Sequence, residues 1–148
     1  MKKSLLIFFV FAALSFSSCS DDDDQLPEGS LNVEATVNGQ EWKASGNSRV
    51  TSVAGVTIFA IGAGAVDKSN IAITLDGEKT GTFDLNGRAL YTDAAQTVNN
   101  ATSGTITITK LENNKVSGTF SFRASPMVGS GPETVVENGK FTDINIMK

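Results

Sequence analysis

"GTITITKLENNKVSGTFSF", Gly104 to Phe122, decides the fold. Its first arm alternates strictly, with Ile106 and Ile108 on one face and Thr105, Thr107 and Thr109 on the other. The second arm, followed on to Ala124, puts Val116, Phe120, Phe122 and Ala124 on one face. Ser117, Thr119, Ser121 and Arg123 take the other. Successive side chains of an extended backbone point to opposite sides, so a period of two in β-branched and aromatic residues marks a half-buried strand. Between the arms stands Glu112-Asn113-Asn114-Lys115. Asparagine tolerates the positive φ that a tight hairpin turn requires. The stretch therefore predicts an antiparallel hairpin.

The same logic extends in both directions. "LNVEATV" groups Leu31, Val33, Ala35 and Val37, then turns at Asn38-Gly39 into "EWKAS". Trp42 lies between Glu41 and Lys43, so it points away from two charges and into the core. "NIAITLDG" ends in Asp76-Gly77, and "GTFDLNG" buries Phe83 and Leu85 before Asn86-Gly87. "GKFTDINI", Gly139 to Ile146, slips in its alternation between Phe141 and Ile144, which predicts a bulge. "GVTIFAIGA", Gly55 to Ala63, is apolar on both faces and reads as a central strand covered on both sides. Only "ALYTDAAQ", Ala89 to Gln96, departs from the pattern and reads as a short helix or a loop, with Tyr91 open to exposure. Short strands with Gly and Asn turns predict one all-β domain over residues 30–148. It is an antiparallel β-sandwich or barrel-like domain of about eight strands.

The chain ahead of residue 30 is of another kind. Lys2 and Lys3 precede an apolar run of about twelve residues, Leu5 to Phe16, ending in small residues. That run is shorter than the ~18–20 residues of a spanning helix and reads as a signal peptide over residues 1–18. Residues 5–16 are expected as a helix with little contact to the domain. Phe16-Ser17-Ser18-Cys19 resembles the lipobox of bacterial lipoproteins, although leucine is usual where Phe16 stands. The resemblance implies that Cys19 is lipidated and becomes the first residue of the mature chain. Cys19 is also the only cysteine, so no intramolecular disulfide can form. "SDDDD", Ser20, Asp21, Asp22, Asp23 and Asp24, resembles the acidic export tag of Bacteroidota surface lipoproteins. As plain chemistry it is a run of mutually repelling charges that makes a solvated spacer, here a tether over residues 19–29.

The tether also accounts for the acidity. The whole chain carries 12 basic and 16 acidic side chains, a net charge of −4. From Ser30 onward ten basic residues face eleven acidic ones, so the domain is nearly neutral and offers no basic surface for nucleic acid.

"ATVNGQEWKA", "ALYTD", "SGTITITKLENNKVSGTFSFRA" and "ENGKFTDI", taken together, are similar to a family of Bacteroidota lipoproteins known as a domain of unknown function. The resemblance implies an exported all-β domain and supplies no catalytic residues.

Catalytic chemistry has little to work with. The chain has no histidine, which removes the commonest general base and metal ligand. No phosphate-binding glycine loop is present. Carboxylates remain: Asp67, Asp76, Glu78, Asp84, Asp93, Glu112, Glu133, Glu137 and Asp143. Most stand in turns or at outward strand positions, the places of solvated charges. No catalytic residue, metal site or cofactor is assigned, and the ligand-binding residues stay unknown. The expected function is that of an outer-membrane, surface-exposed lipoprotein, held by its N-terminal lipid. Its β-domain is a non-catalytic interaction or structural module with a protein or glycan partner. The alternative is a lipocalin-like carrier of a small apolar ligand, in which the two-sided Gly55–Ala63 strand would line a cavity.

Overall fold

The computed structural model describes residues 31–148. The signal peptide with its expected helix, Cys19, and the tether with Ser20 to Asp24 lie outside the described residues.

Every regular element among the described residues is a strand. In chain order they are β1 (Val33–Val37), β2 (Gln40–Val53), β3 (Val56–Gly64), β4 (Asn70–Asp76), β5 (Gly81–Asp84), β6 (Ala89–Thr92), β7 (Val98–Glu112), β8 (Lys115–Pro126) and β9 (Thr134–Met147). The β5 and β6 strands lie end to end along one edge of β7, Gly81–Asp84 against Thr105–Ile108 and Leu90–Thr92 against Val98–Asn100. Between them Leu85 N–H donates to Gly104 O and Gly87 N–H to Ala101 O, so the two behave as one interrupted stave. Each stave pairs antiparallel with its neighbour in sequence. The ring closes where β9 pairs with both β8 and β1. The result is an eight-stave up-and-down barrel, with β5 as the extra strand in the nine-stranded sheet. Closure removes the sheet edges that an open sandwich would leave.

The turns follow their residues. Asn38 and Gly39 adopt φ of 49° and 80°, and Asn113 and Asn114 adopt 53° and 55°, the left-handed pairs of two-residue hairpins. The slip near Phe141 is a bulge. Val116 pairs with Ile144 but Gly118 pairs with Phe141, and Asp143 takes φ 48°. The N–H of Asp143 donates to Ser117 Oγ at 2.8 Å, which satisfies the group the bulge frees.

A fork forms where β1 begins. The longer β2 and β9 run past it and meet in a short parallel pairing, Ser48 with Ile146 and Arg49 with Met147. Asn32 fills the crotch: Gly46 N–H donates to its Oδ1 at 2.7 Å and Thr142 N–H to its carbonyl. Gly46 has to be glycine-small, since a Cβ there would stand 2.6 Å from both Ile144 Cδ1 and Val33 Cγ2.

The barrel interior is packed with side chains. Phe59, Leu85, Ile106, Val116, Val136 and Ile144 are fully buried, and Phe120 packs against Phe122 and Phe141 at centroid distances of 6.4 and 6.2 Å. Each such side chain contributes roughly 1.5–3 kcal/mol relative to exposure. The gap left between Val33, Ile61, Ile73, Phe120 and Phe141 holds only about 10 Å³. An apolar interior and a polar exterior are the reverse of a membrane-spanning barrel.

Two expectations are corrected. Ala89 to Gln96 is neither helix nor plain loop. Residues Ala89–Thr92 form β6, with Ala89 and Tyr91 turned inward, followed by a turn in which Asp93 Oδ1 accepts from Thr97 N–H. The Gly55–Ala63 strand is not covered on both sides. Phe59 and Ile61 enter the core, whereas Val56 is 58% and Ile58 40% exposed. Among the described residues nothing lies outside the single-layer barrel to cover the second face.

Candidate functional site

The outer wall over β7, β8 and β9 is built from hydroxyls. The inward alternation that buries Ile106, Ile108, Phe120 and Phe122 sends Thr105, Thr107, Thr119 and Ser121 outward. Registers align them in rows across the staves: Thr105 beside Ser121, and Thr107 beside Thr119, which in turn faces Lys140 on β9. On the far side of β7 the hydroxyls of Thr82 and Thr107 hydrogen-bond at 2.9 Å.

The wall is dented by a second bulge. Pairing steps from Phe120–Gly139 to Phe122–Val136, and Asn138 takes φ 52°. Gly139 carries no side chain there, because a Cβ would lie 2.5 Å from the Phe120 ring. A shallow depression of about 450 Å³ results, floored by Thr107, Thr119 and Ser121 and walled by Asn138 and Lys140. A smaller one of about 150 Å³ continues past Ser121 to Arg123, with Glu137 on its other side. At the rim Arg123 Nη1 meets Glu133 Oε2 at 2.9 Å. Lys140 also borders a third depression of about 570 Å³ beside β1, where Glu34 stands in register with Lys43 and Lys140. Hydroxyls both donate and accept and do not titrate near neutrality. Such a groove can hydrogen-bond a polyol or a peptide backbone.

A polar cluster closes one end of the barrel. Trp42 Nε1 donates to Ser69 Oγ at 2.8 Å, and Ser69 Oγ donates to Asp67 Oδ1, which also accepts from Ser69 N–H at 2.9 Å. Asn99 Nδ2 donates to the carbonyls of Tyr91 and Thr97. Tyr91 is buried at 8% exposure, which corrects the expectation that it stands open to exposure. Burial pushes its phenol above its ordinary range, against the pull of a hydrogen bond with Ser69. Ser69 is itself buried, so its hydroxyl serves the turn and cannot meet a substrate.

The other candidate carboxylates are spread around the molecule. Asp76 meets Arg88 at 2.6 Å, whose hydrogen bond and charge hold its carboxyl below the usual range. Glu78 meets Lys148 at 3.4 Å, and Asp84 Oδ1 accepts from Asn86 N–H. Glu112 and Asp143 are brought together by Lys110, at 3.3 and 3.2 Å from its Nζ. That cluster is exposed and its cation is already shared, which suits a surface tie between β7 and β9.

The groove was not read from the sequence. Its hydroxyls were visible as outward threonines, and Asn138-Gly139 inside an alternating strand was an available sign of a bulge. What the sequence could not show was that β7, β8 and β9 lie side by side over that bulge.

Fold and wall together define a closed up-and-down β-barrel domain with a filled interior and a polar, grooved exterior. Over residues 30–145 the chain matches the family model described as "Domain of unknown function (DUF6252)". It belongs to that family. No curated protein and no solved structure matches it.

Proposed function

We propose that the protein is an outer-membrane lipoprotein, anchored through lipid on Cys19 and displayed at the cell surface by Ser20 to Asp24. Its barrel is a non-catalytic interaction module that engages a protein or glycan partner. The observation that carries the module is the hydroxyl groove along β8, with Thr107, Thr119 and Ser121 as its floor. Support for the anchor comes from the Phe16–Cys19 segment and from a domain whose nearly neutral charge leaves the acidity in residues 21–28. The alternative, a lipocalin-like carrier, would need a cavity of roughly 300–1,000 Å³, and the interior gap is about 10 Å³.

The partner is tested by binding of the processed protein to arrayed surface glycans and to outer-membrane protein extracts. Thr119→Trp and Ser121→Trp fill the groove from its floor while leaving the core untouched. Loss of binding with unchanged thermal stability supports the groove. Unchanged binding in both variants removes it.

A further inference from the structure

We propose that the tip of the β2–β3 hairpin, centred on Val53 and Val56, rests on the lipid surface to which the chain is anchored. The proposal builds on the anchor at Cys19 and adds a second point of contact from the folded domain itself.

The hairpin outruns the barrel. Pairing of β9 with β2 stops at Arg49, and pairing of β4 with β3 stops at Ile58. Beyond those residues one further backbone bond reaches β3, from Gly77 N–H to Thr57 O, and β2 and β3 otherwise pair with each other, down to Val53 opposite Val56. The turn is Ala54-Gly55, with φ of 52° and 82°. The outward face of this projection is mostly apolar, with Val53 64%, Val56 58% and Ile58 40% exposed beside the exposed Thr51. From Val50 to Ile58 no residue is charged. On the opposite face the hydroxyls of Ser52 and Thr57 bond each other at 2.9 Å, so they demand less from water. Charges that protect an exposed hairpin from association are missing here. An uncharged apolar tip with paired hydroxyls is suited to the boundary between lipid headgroups and acyl chains.

Exposure alone does not choose the occupant, because Val128 in the β8–β9 loop is 89% exposed at the other end of the barrel. The exit of the N-terminal chain chooses it. Asn32 is level with Gly46, and β1 traced backward runs toward the hairpin tip. Val53 stands seven positions beyond Gly46 on β2, a drop of about 23 Å. Cys19 precedes Asn32 by thirteen positions, a reach of at most about 47 Å. The tether therefore exceeds the drop, so the tip can touch the surface. Drawn out fully toward it, the tether still holds the tip within about 24 Å.

The test places one cysteine at the tip, Val53→Cys, and in a separate full-length chain one at the far end, Val128→Cys. Each processed protein is reconstituted into phosphatidylethanolamine–phosphatidylglycerol vesicles and labelled with bimane. Emission is read with and without nitroxide-bearing lipid, and the mass of the Cys19 peptide is measured on the same samples. The expected result is a loss of emission of about twofold or more at position 53 and none at 128. Equal emission at both positions, on a chain lipidated at Cys19, overturns the hairpin contact and leaves the anchor standing. Shielding at position 53 that grows with protein concentration and ignores the lipid quencher assigns the tip to a second copy and also overturns it. An unlipidated Cys19 overturns the anchor and the contact with it.

Discussion

Trp42 and Ser69 are joined by a buried hydrogen bond of 2.8 Å across 27 positions of sequence, from β2 to the turn that links β3 to β4. The bond shuts one end of the barrel and gives the indole N–H its partner. Ser69→Ala leaves that donor buried and unsatisfied, a loss of about 1–3 kcal/mol. Trp42 is the only tryptophan, so its fluorescence during denaturant unfolding reports the change directly. A variant as stable as the parent would mean that water reaches the indole.

Tyr91 offers a pH test at the same end. It is the only tyrosine, so tyrosinate absorbance reads it alone. Burial, with the charges of Asp67 and Asp93, raises its pKa above 10.0. The folded state thus holds the phenolic proton more tightly than the unfolded chain. This stabilisation is complete below the unfolded pKa and is lost as pH rises through the folded value. The expected midpoint lies above 10.0 in the folded protein and falls toward it in denaturant.

Lys110 and Asp143 behave in the opposite sense. The lysine's hydrogen bond and charge hold the Asp143 carboxyl below its ordinary 3.8. A depressed carboxyl contributes stability above its unfolded pKa and loses it as pH falls through the folded value. Lys110→Met is expected to move the Asp143 titration upward, as read by carboxyl NMR shifts. An unmoved titration would show that Ser117 Oγ and the bulge set it instead.

Close approach of the staves gives a sharper test. A Cβ on Gly118 would fall 2.2 Å from Thr107 O and 2.7 Å from Phe141 Cζ. Gly118→Ala is therefore expected to cost at least about 1–3 kcal/mol. Gly64→Ala meets nothing within 4 Å and serves as the near-neutral control. Thermal midpoints of the two variants check the contrast.

Much of the fold was legible because a barrel is written in local alternation. The Thr105–Leu111 and Val116–Ala124 arms, the Asn113-Asn114 turn, the inward Trp42 and the Asp143 bulge all follow from period two and turn chemistry. Local pattern fails where distant strands decide. Gly46 to Val53 has too many polar residues to look like a strand, yet it continues β2 because it pairs residue by residue with Ala63 to Val56 of β3, and Ser48 Oγ donates to Asn145 O at 3.0 Å across the fork. Val98 to Ser103 is likewise strand, though Gly104 at φ 136° breaks the alternation beside it. The outward Val56 and Ile58 of β3 resembled a second buried face because apolar side chains alone do not say whether anything covers them. The groove was hidden for a related reason, since it exists only where three staves meet.

The most direct measurement is the mass of the mature chain recovered from membranes. The expected chain begins at Cys19, lacks residues 1–18 and carries acyl chains on that cysteine. A membrane-bound chain that keeps residues 1–18, or one that begins elsewhere with an unmodified Cys19, would contradict the lipid anchor.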